Sequence, residues 1–159
     1  MSSTRTAVVT LPSDTSLQIT REFDAPRHLV FRAWTTPELI ARWWHANRGT
    51  VVSIDVDLRV GGGWRYLMTA NGGFEVAFRG VYREVVANER LVNTEVFEAF
   101  PDGEALVTTT FTERDGRTTV TSLVQHANQA ERDMHLNSGM EDGMQDALDM
   151  LEEVARSLA

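Results

Sequence analysis

Hydrophobic and polar residues alternate with a period of two over much of the chain, which is typical of β-strands that bury one face. The alternation predicts a first strand at residues 17–23. Turn residues such as Asn71-Gly72-Gly73 and Asp115-Gly116 separate the later runs, and connections this short favour hairpins. We therefore expect an antiparallel meander. Its six strands are predicted at about residues 50–56, 63–70, 74–86, 90–99, 104–113 and 117–127.

Helical patterns lie between the first two strands and after the last one. Asp24 as an N-cap with Pro26 in the first turn, and then Thr36 with Pro37, are start signals that predict two short helices ending near Trp44. Asn128 and Glu131 match a capping box, and we expect helix from there to the end of the chain. The final helix carries one apolar stripe, made of Met140, Met144, Leu148, Leu151, Ala155 and Leu158.

Strands and helices in this order predict an α+β fold in which the sheet curls around the final helix, because no other element can bury the stripe. Gly139 and Gly143 weaken that helix by about 1 kcal/mol each relative to alanine, and they indicate a bend or a close approach. Residues 1–14 are predicted to form a flexible N-terminal arm, in which 7–11 have the pattern of a short strand. Residues 15–159 are predicted to form a single domain.

Composition excludes several kinds of chemistry. The chain has no cysteine, which excludes disulfides, thiol catalysis and thiolate metal sites and agrees with a reducing cytoplasm. All 15 basic residues are arginine, so neither a Schiff base nor a Walker phosphate loop can form. The net charge of -8 argues against binding to nucleic acid or to an anionic membrane. With no transmembrane run and no secretory signal, the expected location is cytoplasmic.

The space between the sheet and the final helix is the candidate binding site. Aromatic residues on an inner face are most often simply core, but Gly80 is expected to leave a hole, and Met140 and Met144 are adaptable. Ser122 and His126 would add polar groups to apolar walls, as in small-molecule sites. The candidate cavity residues are Trp44, Trp64, Phe74, Phe78, Gly80, Tyr82, Phe97, Phe111, Ser122, His126, Met140 and Met144.

Metal and catalytic motifs are not found in the sequence. The four histidines lack the spacing of a metal site, and no serine lies in a nucleophile elbow, so no metal, cofactor or catalytic residue is assigned. If the cavity forms, His126, Tyr82 or His135 could act as a general acid or base. An enzymatic function therefore stays open.

Six motifs in order resemble one family. They are Arg21-x-Phe23-Asp24-Ala25-Pro26, Val30-Phe31-Arg32-Ala33-Trp34, Pro37-Glu38 with Trp43-Trp44, Asp57-x-Arg59-x-Gly61-Gly62, Phe78-Arg79-Gly80-Val81-Tyr82 and Gly139-Met140-x-x-Gly143. This combination is similar to bacterial homologues of the activator of the ninety-kilodalton heat-shock protein ATPase, within the START-like, or SRPBCC, superfamily. The resemblance covers residue 16 to the end.

The resemblance implies the helix-grip fold, with two short helices after the first strand and a cavity that takes an apolar or aromatic small molecule. It implies two alternatives: a co-chaperone-like domain that binds a chaperone in the stress response, and a cyclase- or hydrolase-like enzyme that uses the same cavity. A homodimer would also suit the family. Met144, where relatives often have tryptophan, and the polar Ser122 and His126 imply a roomier and more polar cavity. Trp34 and Trp43 are expected to anchor the short helices, and the role of Trp44 is left open.

Overall fold

An eight-stranded antiparallel sheet and four helices form the protein, in a computed structural model that describes residues 6–159. The strands follow the order β1-β2-β8-β7-β6-β5-β4-β3 across the sheet. They are β1 (Val8–Ser13), β2 (Ser16–Phe23), β3 (Gly49–Val56), β4 (Gly63–Ala70), β5 (Glu75–Val86), β6 (Arg90–Phe97), β7 (Glu104–Arg114) and β8 (Arg117–Gln125). The helices are α1 (Arg27–Thr35), α2 (Pro37–Ile40), α3 (Gln129–Leu136) and α4 (Met140–Ser157). The predicted α+β fold, a curved sheet around a long C-terminal helix, is confirmed.

Hairpins connect β3 to β8 in sequence order, as the short turns predicted. Asn88 between β5 and β6, and Asp115 with Gly116 between β7 and β8, have positive φ angles. Such angles suit tight hairpins, since they match the twist of the flanking strands. Strand β2 then pairs with β8, the last strand in sequence order.

The N-terminal segment is ordered where the structure describes it. Strand β1 pairs antiparallel with β2, from Val8 opposite Thr20 to Ser13 opposite Ser16. The prediction of a flexible arm over residues 1–14 is therefore corrected for 8–13, while residues 1–5 lie outside the described part. The segment pairs because Asp14 and Thr15 form a tight turn that folds it back onto β2.

The C-terminal helix is two helices and not one. Asn128 caps α3 as expected, since its side-chain oxygen accepts the Glu131 backbone N–H at 2.8 Å. However, α3 ends at Leu136, and α4 starts after Gly139, whose φ is +82°. A residue in this left-handed conformation cannot continue a right-handed helix, and glycine adopts it most easily. The bend that the glycines indicated is thus a complete break.

The first short helix begins later than predicted, and the second ends sooner. Pro26, not Asp24, is the residue before α1, and it makes no side-chain cap. After Ile40 the chain runs in turns, in which Ala46 and Asn47 have positive φ angles. Trp43 anchors these turns, because it is buried and its indole N–H donates to the Ala33 carbonyl at 2.9 Å.

A buried ion pair joins α4 to the sheet. Arg21 is only 2% exposed, and its guanidinium donates to Asp149 and to Glu152, each at 2.7 Å. Apolar residues of α1 and of the second half of α4 pack around this contact. No helix among residues 6–159 combines the length and the apolar character that crossing a membrane requires.

Candidate binding groove

Helix α4 packs against the rest of the protein along only part of its length. Its buried residues are Leu148, Leu151, Glu152, Val154 and Ala155, all in the second half. In the first half, Met140 and Met144 are only half-buried although both pack against core clusters. On the concave face of the sheet, the large apolar residue Phe97 is 39% exposed. The concave face of β4–β8 and the first half of α4 together form the candidate binding region, which is called the groove below.

Strand register decides which side chains line the groove, because residues directly opposite in an antiparallel pair share a face. Tyr66 lies opposite Phe78, which lies opposite Phe97 in turn. Tyr82 lies opposite Asn93, so β6 turns its odd-numbered residues, Glu95 included, toward the concave face. The polar or ionisable residues on this face are Tyr66, Tyr82, Asn93, Glu95, Thr109 and Ser122.

Aromatic rings in mutual contact form one side of the groove. Trp44 meets Tyr66 edge-on, with ring centroids 5.5 Å apart, and also meets Phe78 at 6.2 Å. Phe78 stacks on Phe97 at 5.0 Å, and Trp64 tilts against Tyr66 at 4.9 Å. These five residues are called the aromatic wall. Trp44, whose role the sequence left open, belongs to it and is half-buried.

Glu95 is the one carboxylate among the polar residues of the groove, and it forms no hydrogen bond or ion pair with any described residue. Surrounding protein excludes most of its water, although solvent still reaches part of the side chain. This desolvation raises the pKa of Glu95 to about 7, because the charged form loses hydration without gaining a partner. Glu95 therefore changes its charge near neutral pH.

Two tyrosines of the concave face stay protonated at physiological pH. Burial is the main reason that the pKa of Tyr66 lies well above its usual value, and electrostatic repulsion from the ionised forms of Tyr82 and Glu95 adds to the shift. Burial also raises the pKa of Tyr82 to about 12. Both hydroxyls can donate hydrogen bonds, but Tyr82 is a poor general base because its ionised form is costly.

Gly80 does not leave a hole, contrary to the prediction. A Cβ atom at this position would collide with the Thr94 carbonyl oxygen and with Nε1 of Trp64. The indole of Trp64 thus lies over the glycine, and the missing side chain makes room for it. Nε1 of Trp64 is buried and has no hydrogen-bond acceptor among the described residues.

His126 and His135 form a pair at the end of the sheet. Nε2 of His126 lies 3.0 Å from Nδ1 of His135, so one ring donates a hydrogen bond to the other. Burial, and to a lesser extent the nearby His126, lower the pKa of His135 to about 4. Burial also lowers the pKa of His126. Within residues 6–159, no three histidine, cysteine or acidic side chains are grouped to hold a metal ion.

Several predicted cavity residues lie outside the groove. Phe74 is 62% exposed in the turn before β5. Phe111 is buried in the core, where its ring meets Phe31 at 5.2 Å and Trp34 at 5.7 Å. Ser122, by contrast, is on the concave face, with its hydroxyl 3.2 Å from the hydroxyl of Thr109.

Sequence reasoning missed Tyr66, Asn93 and Glu95. Both faces of β6 carry polar residues, which left the inner face undecided. Leu91 and Phe97 were the available signal, because these large apolar residues share the odd-numbered positions with Asn93 and Glu95.

A separate surface depression of about 470 Å³ lies where α1 meets the β5–β6 turn. Its charged groups already have partners. The Arg27 backbone N–H donates to Glu113 at 2.7 Å, and the Arg27 guanidinium lies 3.9 Å from Glu89. The depression therefore offers less than the groove for ligand recognition.

Comparison with known proteins agrees with this architecture. The model of the family described as Activator of Hsp90 ATPase homolog 1-like protein matches residues 24–156. Among curated proteins, none matches the sequence.

Solved structures with a similar fold come from several bacteria. A Rhodobacter sphaeroides protein is 24% identical with a TM-score of 0.88, over 95% of this chain and 99% of that one. Protein Ms6760 of Mycobacterium smegmatis is 28% identical with a TM-score of 0.80, over 93% and 96%. An AHSA1-like protein of Aeromonas hydrophila is 27% identical with a TM-score of 0.66, over 89% and 93%.

Proposed function

This chain belongs to the Activator of Hsp90 ATPase homolog 1-like family, and we propose that it binds an apolar or aromatic small molecule in the groove. The observation that carries the proposal is the aromatic wall. Its rings contact one another on the concave side of the sheet, and Phe97 remains 39% exposed. A ring-bearing ligand would cover these faces and gain about 25 cal/mol for each Å² of apolar surface that it buries.

The mixture of groups in the groove also supports a ligand site. Small-molecule sites combine mostly apolar walls with a few polar groups that fix orientation. Here the aromatic wall and the methionines of α4 supply the apolar surface, while Glu95 and Asn93 supply polar groups. Met140 and Met144 have flexible side chains, which can adapt to the shape of a ligand.

Filling the groove with a larger side chain should weaken ligand binding. We expect the neutral fluorescent probe N-phenyl-1-naphthylamine to bind the native protein, and Met144→Trp to weaken that binding by at least about tenfold, or 1.4 kcal/mol, because the indole fills the space. Fluorescence titration measures both. Phe74→Ala is the matched control, since Phe74 is an equally apolar residue outside the groove.

A second measurement does not depend on the probe. If the protein retains a cellular ligand, native mass spectrometry of the purified protein should show extra mass that is lost on denaturation. Equal probe affinity in the native protein and in Met144→Trp, with matching thermal unfolding, would contradict binding in the groove.

The family description favours a second candidate, a domain that binds a chaperone. The exposed acidic residues Glu141, Asp142 and Glu153 on α4 would serve such an interaction. Stimulation of the host's own ninety-kilodalton chaperone ATPase by the purified protein tests it.

If the groove instead holds a substrate, Glu95 is the group whose pKa, about 7, suits general acid–base catalysis at neutral pH.

A further inference from the structure

We propose that the ligand of the groove carries a hydroxyl on an aromatic ring, which donates a hydrogen bond to Glu95 and accepts one from Nε1 of Trp64. The inference rests on the proposed function and names the chemistry that the groove selects. It starts from two polar groups that the protein itself leaves without partners, one an acceptor and one a donor.

The two unpartnered groups flank the same position of the sheet. Trp64 lies opposite Gly80 on one side. On the other side, the pairs Phe78–Phe97 and Tyr82–Asn93 place Glu95 level with Gly80. Gly80 has no side chain, and the atoms nearest to where its Cβ would stand are the Thr94 backbone carbonyl of β6 and Nε1 of Trp64.

Because the two groups are shielded from water, their lack of partners in the protein indicates that a ligand supplies them. Trp64 is only 7% exposed, and its N–H has no acceptor within residues 6–159. A buried polar group without a partner costs about 1–3 kcal/mol, and native proteins keep few of them. Glu95 likewise has no partner among the described residues, so the floor of the groove offers one free donor and one free acceptor.

A hydroxyl satisfies both groups with a single atom. It donates through its hydrogen and accepts through its oxygen, whereas an ammonium group only donates and a carboxylate only accepts. Hydrogen bonds of about 2.7–3.0 Å on either side let one oxygen bridge groups that are about 5–6 Å apart. An ammonium would pair with Glu95 but would leave the Trp64 N–H unmet. Above pH 7, where Glu95 is mostly ionised, a ligand carboxylate would face its like charge.

The aromatic wall indicates why the hydroxyl should be phenolic. Tyr66 lies in contact with Trp64 and within the electrostatic reach of Glu95, so a ring that carries the hydroxyl would lie beside aromatic faces. Aromatic pairs add about 0.5–1.5 kcal/mol to the burial of their surface. A phenol is also the more acidic hydroxyl, and its hydrogen bond to a carboxylate is charge-assisted and short.

A pair of near-isosteric probes tests the inference. 2-Naphthol and 2-methylnaphthalene differ by a hydroxyl in place of a methyl group, so their relative affinity isolates the polar contacts. We expect Glu95→Met and Trp64→Phe each to lower the affinity for 2-naphthol by at least about tenfold relative to the affinity for 2-methylnaphthalene. Phe74→Ala should leave the ratio unchanged. Isothermal titration calorimetry supplies the affinities.

The NMR chemical shifts of the indole N–H groups give a readout that a change in protein stability does not alter. The Trp64 signal, assigned by its loss in Trp64→Phe, should shift downfield with 2-naphthol and not with 2-methylnaphthalene. Binding of 2-methylnaphthalene also shows that each variant still folds and keeps its groove.

The outcomes separate this inference from the proposed function. If both probes bind and the variants leave their affinity ratio unchanged, the hydroxyl site is wrong while the groove remains a ligand site. Tighter binding of 2-naphthylmethylamine than of 2-naphthol would also overturn it, in favour of a cation. If no probe binds, the proposed function itself fails.

Discussion

Glu95 is the residue whose position is hardest to explain by folding alone. It occupies the concave face of a sheet, next to aromatic rings, without a partner among the described residues. Large apolar residues at such a position would stabilise the protein more. Residues that lower stability without a structural benefit are typical of functional sites. The position of Glu95 is therefore better explained by a role in ligand binding in the groove than by a role in core packing.

Replacing Glu95 by glutamine should stabilise the protein in a pH-dependent way. The folded state raises the pKa of Glu95 from 4.5 to about 7, so it binds the proton more tightly than the unfolded state does. The contribution of Glu95 to stability is complete below pH 4.5 and is lost as the pH rises through 7. At pH 4.5, Glu95→Gln should therefore change the free energy of unfolding only slightly. At pH 8 it should raise that free energy by up to about 3 kcal/mol.

Urea denaturation at the two pH values measures this difference. Glu98→Gln is the control, because Arg65 donates to that carboxylate and lowers its pKa, so its loss should not stabilise the protein at pH 8. A Glu95→Gln effect that is equal at both pH values would refute the burial of an unpaired charge.

At the scale of elements, α4 is held by its second half. Arg21 on β2 reaches Glu152 and Asp149, and the apolar residues Leu148, Leu151 and Val154 are buried nearby. A buried arginine is stable only with its charge compensated. This contact holds the second half of α4 against β2.

A double-mutant cycle should reveal strong coupling in this pair. Arg21→Met alone should cost about 3–5 kcal/mol of unfolding free energy, since it leaves the buried Glu152 carboxylate uncompensated. Adding Glu152→Leu should recover much of that loss. The exposed pair Arg48–Asp146, with an N–O distance of 2.8 Å, is the matched control and should couple by about 1 kcal/mol or less. Equal coupling in both pairs would mean that burial contributes nothing.

For the whole molecule, the uneven packing of α4 predicts uneven stability. Residues of α3 and of the first half of α4 are mostly exposed or half-buried, whereas β2, β8 and the second half of α4 form the core. Segments with few buried contacts open at lower free energy than the core does. The groove is therefore bounded by the part of the molecule that opens most easily.

Hydrogen–deuterium exchange should follow this division. We expect amides of residues 129–144 to exchange before those of β2, β8 and residues 148–157. Binding of N-phenyl-1-naphthylamine should slow exchange in 129–144 and leave β2 unchanged, because the ligand adds contacts only to the groove. Uniform protection along α4, with or without the probe, would show that both halves of the helix are packed alike.

The sequence by itself determined the elements and their order. Turn chemistry at Asp115-Gly116, the capping box of Asn128 and the alternation along β5 are local properties, and neighbouring residues suffice to express them. The inner face of β5 could be read for the same reason. Gly139 was recognised as a bend, although local reasoning did not show that it ends one helix and starts another.

Only the tertiary structure decided what lines the groove. Glu95 faces inward because β6 pairs in one register with β5, and register depends on residues far apart in sequence. The space at Gly80 is filled by Trp64 from the neighbouring strand, so a glycine that suggested a hole is in fact a site of close packing. Periodicity assigns a side chain to a face, but only the packed elements determine which atoms share that face and which of them lack a partner.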